Sequence, residues 1–203
     1  MKKLKMSPLC VIWLLVLFKF QARFTIPLFC AIILHELGHL VVAKILKIQI
    51  KRFEISILGA RIITQSELSY KDEFLLALGG PVSGLLGFLF TLPISLDKCT
   101  PFTENFLLPF SLISLCLTIF NLIPLATLDG GRMLFCGLCI AFSLNLASKI
   151  MCVASFLTLF SFWIFSVYLV LKASLGLSML VFCFIFFSKC FIFDNKNRDY
   201  ARF

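Results

Sequence analysis

The chain contains two histidines, four residues apart in His35-Glu36-Leu37-Gly38-His39. On a helix, residues i and i+4 share a face, so both imidazoles can reach one metal ion. Glu36 lies beside them, where a carboxylate can take a proton from a water and pass it to a leaving amine. At ordinary amino-acid frequencies this H-E-x-x-H spacing arises by chance in fewer than roughly one in a hundred chains of such length. A polar helix–helix contact or a structural metal is the plainer use of the same residues.

Two imidazoles are too few for a catalytic zinc, which takes three protein ligands and keeps one position open. Asp129 is the best candidate for the third. It closes the stretch Asn121-Leu122-Ile123-Pro124-Leu125-Ala126-Thr127-Leu128-Asp129-Gly130. Pro124 removes a helix hydrogen bond and Asp129-Gly130-Gly131 favours a turn, so this backbone is expected to be partly unwound. Irregular backbone at membrane depth is tolerated only inside protein or against a wet cavity. Capping of a loop is the plainer role for Asp129.

The elements that must position these groups are membrane helices. Of 203 residues, 61% are hydrophobic and 14% charged, with 25 phenylalanines and a mean hydropathy of +1.04. A soluble domain carries roughly 25% charged residues, so the composition excludes that class, and disordered chains with it. The net charge of +9 points to cytoplasmic loops of a membrane protein rather than to nucleic acid, since no basic stripe is interleaved with surface aromatics. Eight of the nine cysteines lie in apolar runs, where thiols act as small hydrophobes, and no disulfide framework is expected. Cys136 and Cys139 form a C-x-x-C with no second pair to complete a metal site.

About six spans fit the hydropathy, with seven as the alternative. They cover about Pro8 to Phe18 (a retained span rather than a cleaved signal), Phe24 to Ala43, Phe74 to Leu96, Phe106 to Ala126, 150–171 and 174–193, with a connecting helix within 133–147 and a tail from Asp194 to Phe203. One membrane-embedded domain over 1–203 is expected, its motifs within about 30–135. Lys2, Lys3 and Lys5, and the set Lys44, Lys47, Lys51, Arg52, Arg61 and Lys71, place the amino terminus and the segment between spans two and three in the cytoplasm. Spans two and four then run the same way, and His35, His39 and Asp129 fall at similar depth near the cytoplasmic leaflet. Ionisable groups within spans mark function by default. Between those spans, Ile48 to Thr64 alternates and reads as a small β-hairpin at the membrane surface, with Phe53 and Ile55 on a strand where an extended substrate can pair. A structural connector is the other reading. On span three, Gly80/Gly84 and Ser83/Gly87 are small-x3-small pairs that allow close helix approach.

The pattern His35-Glu36-x-x-His39, then Asn121-x-x-Pro124-x4-Asp129-Gly130, resembles the site-2 protease family of intramembrane zinc metalloproteases. The resemblance implies one zinc bound by His35, His39 and Asp129, with Glu36 as catalytic base, and Asn121 and Pro124 shaping the site and holding substrate. Gly80-Pro81 match the family's Gly-Pro pair near the site, but Gly84 stands where an asparagine is common. The compact form is similar to the sporulation-type bacterial branch, which releases a transcription-factor precursor from the cell membrane. That resemblance implies a membrane-tethered protein substrate and a membrane regulatory protein as partners within the lipid bilayer. A metal transporter is the non-enzymatic alternative, although such proteins usually spread their ligands across the membrane instead of clustering them at one depth.

Overall fold

The structure, a computed structural model, describes residues 4–6, 22–56, 59–64, 68–96 and 100–173. The expected first and last spans and the tail lie outside the described residues. The chain divides into two compact units, Met1–Phe120 and Asn121–Phe203. Among the described residues four helical segments are long and apolar enough to cross a membrane: Phe24–Ile45, Tyr70–Leu96, Thr103–Asn121 and Leu144–Tyr168.

In the first unit, α1 (Ala22–Ile45) packs along α2 (Tyr70–Leu96). The buried stripe of α1 recurs every four residues through Ala31, His35, His39 and Ala43, while Phe29, Ile33, Leu37 and Val41 are exposed. An apolar exterior of this extent suits a bilayer and would be a liability in water. The α1–α2 crossing is made by glycines: a β-carbon on Gly79 would lie 2.7 Å from the Gly38 carbonyl oxygen, and one on Gly38 would collide with the Gly79 carbonyl. Ser83 seals the crossing, its hydroxyl 2.8 Å from the Gly80 carbonyl and 3.0 Å from that of Leu34. Pro81, which is buried, and Pro93, which is exposed, lie inside α2; proline is tolerated within membrane helices because neighbouring groups satisfy the freed backbone.

A π-helical turn, Thr103–Leu107, leads into α3 (Leu108–Asn121). Its buried face carries the hydroxyl residues Ser111, Ser114 and Thr118. Gly84 and Gly87 of α2 meet this face: a β-carbon on Gly84 would collide with the Thr118 hydroxyl, and one on Gly87 would lie 3.7 Å from that of Ser114. The small residues of α2 therefore serve two neighbours, Gly79 and Gly80 facing α1 and Gly84 facing α3.

Between α1 and α2 the backbone forms β2 (Ile50–Ser56) and β3 (Gly59–Thr64), paired antiparallel with Phe53 opposite Ile62 and Ile55 opposite Ala60. A short β1 (Leu4–Met6) pairs parallel to β2, Leu4 opposite Phe53 and Met6 opposite Ile55. The order β1-β2-β3 makes β2 the central strand. Phe53 and Ile55 thus have a backbone neighbour on both sides, and the sheet edges are β1 and β3.

In the second unit, α3 gives way after Asn121 to a non-helical segment, 122–128, and α4 (Asp129–Ala141) follows. The fourth span was expected to continue to Ala126; it ends earlier because Pro124 cannot donate to the helix ladder. Tight turns replace the ladder, with Leu125 N–H donating to the Ile123 carbonyl at 2.7 Å and Leu128 N–H to that of Leu125 at 2.9 Å. The expected connector within 133–147 is α4, a helix of its own, and α5 (Leu144–Ala173) starts before the expected position 150.

Candidate metal centre

The spacing of His35 and His39 puts both rings on the buried stripe of α1, with centroids 5.0 Å apart and planes at 81°. Their exposures are 4% and 6%. Buried imidazoles in an apolar span need partners, and α2 supplies one: the Leu76 carbonyl oxygen lies 2.7 Å from His39 Nδ1. Gly80 sits against the other side of the rings. A β-carbon there would collide with His39 Nε2 and lie 2.6 Å from His35 Nε2. Both Nε2 atoms therefore face the small volume left by the absent side chain of Gly80. Glu36, the next residue on α1, is half-buried.

In the second unit, Asp129 is the first residue of α4 and is buried at 9% exposure. A carboxylate at a helix N-terminus is favoured by the helix dipole. The following glycines permit the tight approach of the preceding loop: a β-carbon on Gly130 would collide with the Leu122 carbonyl, and one on Gly131 with that of Leu125. From α5, Ser155 accepts a hydrogen bond from the Ala126 N–H at 3.3 Å, tying down the same loop.

His35 and His39 in the first unit and Asp129 in the second are all buried, each a residue type that ligates metal ions. Two imidazoles and a carboxylate are the donor set of an open, catalytic zinc site. The volume that a Gly80 side chain would fill is a second sign that the residues suit an ion.

Asn121 and Pro124 are half-buried at the two sides of the break after α3, and Pro81 is buried on α2 next to Gly80. Phe53 and Ile55 lie on β2, in the sheet rather than in the helical bundle. Leu76, Thr118 and Ser155 escaped the reading of the sequence. Leu76 acts through its backbone, which no side-chain letter announces. Thr118 and Ser155 look like ordinary small residues in apolar spans.

The sequence profile of peptidase family M50 matches residues 98–165, a stretch that includes Asn121, Pro124 and Asp129 and lies downstream of the histidines. A zinc metalloprotease of Methanocaldococcus jannaschii is 32% identical over 116 residues, covering 57% of this chain and 34% of that protein. A Synechocystis protein named as a candidate zinc metalloprotease is 31% identical over 109 residues, covering 53% of this chain and 29% of that one. The chain thus spans about a third of the length of these curated relatives. Among solved structures, the site-2 protease from Methanocaldococcus jannaschii shares the fold, with a TM-score of 0.68 at 22% identity over 92% of this chain and 88% of that one. Over residues 98–165 the chain is thus similar to peptidase family M50, and its fold is that of the site-2 protease.

Proposed function

We propose that the protein is an intramembrane zinc metalloprotease that hydrolyses a peptide bond within or next to a transmembrane segment of a membrane-tethered protein. The observation that carries this reading is the convergence of both His Nε2 atoms on the space beside Gly80, inside a helix apolar enough to span a bilayer. His35, His39 and Asp129 would hold one zinc ion per chain. Bound there, zinc would supply Lewis acidity toward the scissile carbonyl and a readily deprotonated water.

The remaining chemistry belongs to the chain. Glu36 accepts a proton from the attacking water and returns it to the departing nitrogen. Asn121 and Pro124, beside the break that precedes Asp129, shape the site and hold substrate in our reading. The charge distribution of the sequence favours a site toward the cytoplasmic side, with water entering from there. A helical substrate must unwind before its peptide bond can be attacked, and pairing with the β2–β3 sheet near Phe53 and Ile55 offers a route. Because β2 is central, a substrate strand would either displace β1 or extend the sheet at β3. Release of a transcription-factor precursor under a membrane regulator is the most specific form of this proposal, and rests on resemblance alone.

The test is reconstitution with a membrane-tethered substrate in proteoliposomes, followed by mass spectrometry of the products. Cleavage inside or next to the transmembrane segment, abolished by a zinc chelator and restored by zinc, is the expected result. Zinc flux across the vesicles without any proteolysis would replace this reading with a transporter.

A further inference from the structure

We propose that one turn of α2, Leu76 to Gly80, is an outer shell of the histidine site: the Leu76 carbonyl fixes the tautomer of His39, and Gly80 keeps clear the volume that both Nε2 atoms face. This rests on the metal reading above for its purpose, but its geometry stands without it.

A neutral imidazole has one N–H donor and one acceptor nitrogen, whereas a carbonyl oxygen only accepts. The contact of 2.7 Å between His39 Nδ1 and the Leu76 oxygen therefore puts the proton on Nδ1. The Gly80 N–H is also 3.3 Å from Nδ1. That N–H points at Nδ1 and would need it as acceptor, but the contact is the longer and weaker of the two, and a carbonyl oxygen at 2.7 Å can only accept. With Nδ1 protonated, the lone pair of His39 sits on Nε2, the atom turned toward Gly80. Backbone carbonyls in this role orient metal-binding histidines and raise their basicity.

Gly80 is required for a separate reason. A β-carbon there would occupy space shared by His39 Nε2 and His35 Nε2, so an alanine would crowd both nitrogens that would hold an ion. Gly87 is the natural control, because its β-carbon would meet only the tip of the Leu34 side chain at close range, a group that can turn aside. Two glycines of one helix thus predict opposite outcomes for the same substitution.

Two measurements test this. In metal-free protein with His35→Asn, His39 is the single imidazole, and nitrogen NMR of labelled histidine reads its tautomer directly. The expected result is one neutral tautomer with the proton on Nδ1; a proton on Nε2, or an average of both forms, overturns the role of Leu76. Gly80→Ala is expected to weaken zinc binding by about 10- to 100-fold, the range for outer-shell loss, and to alter the absorption spectrum of the cobalt-substituted protein. Gly87→Ala should retain wild-type affinity and spectrum. Wild-type zinc affinity in Gly80→Ala overturns the role of Gly80. Should Gly80→Ala fail to fold, the NMR measurement still decides the Leu76 half. Should the wild-type protein bind no zinc, the metal reading fails while the tautomer result stands on its own.

Discussion

Gly38 and Gly79 meet backbone to backbone, so that a β-carbon on Gly79 would lie 2.7 Å from the Gly38 carbonyl oxygen. This contact sets the distance between α1 and α2, and the site depends on it, since Leu76 and Gly80 reach His35 and His39 only at that spacing. Gly79→Val is expected to push the helices apart at a cost of about 1–3 kcal/mol, the usual range for overpacking. Thermal unfolding in detergent should show the loss, with zinc retention falling alongside it. Unchanged stability would mean that the helices do not approach this closely.

Gly84 and Thr118 are a second pair whose sizes are matched. The asparagine common at this position in the family would collide with the Thr118 hydroxyl, which is buried and donates to the Ser114 carbonyl at 2.8 Å. Gly84→Asn should therefore destabilise the protein, and Thr118→Gly should relieve much of that loss. A double-mutant cycle is expected to give a favourable coupling of about 0.5–3 kcal/mol, as for residues in direct contact. Additive effects would contradict the pairing.

Ser155 holds the loop before Asp129 through the Ala126 N–H. Ser155→Ala leaves that buried donor without its acceptor, a loss of about 1–3 kcal/mol. The consequence should appear locally, as faster amide exchange at 122–128 and weaker zinc retention, with the rest of the chain unaffected.

The sheet can be tested through its backbone. Ile55→Pro deletes one N–H from β2, the strand between β1 and β3. Cleavage of long substrates that need an extended segment should fall, while zinc content stays at the wild-type level. Equal cleavage of long and short substrates would remove the sheet from substrate binding.

Legibility in the sequence followed the physics of each feature. His35 and His39 announce themselves because helical spacing alone places them on one face. The interior spans were readable because length and hydropathy are set by the bilayer. The end of the fourth was not: Pro124 and the DGG turn signal a break without saying that the helix stops at Asn121. Gly80 reads as packing in sequence, since a glycine that makes room for an imidazole has the same letter as one that makes room for a helix. Leu76 could not be found at all, because its contribution is a carbonyl oxygen. The alternation around Phe53 and Ile55 suggested a strand open to substrate, but pairing of β2 with Leu4–Met6 is a long-range contact that local pattern does not encode.

The most direct test of the account removes the base and leaves the metal. Glu36→Gln keeps the size and shape of the side chain but cannot accept the proton from water. With purified protein and a membrane-tethered substrate, cleavage should fall by at least about 100-fold, the lower end of what general-base catalysis provides, while bound zinc stays near one per chain. Full cleavage by the Glu36→Gln protein would contradict the mechanism.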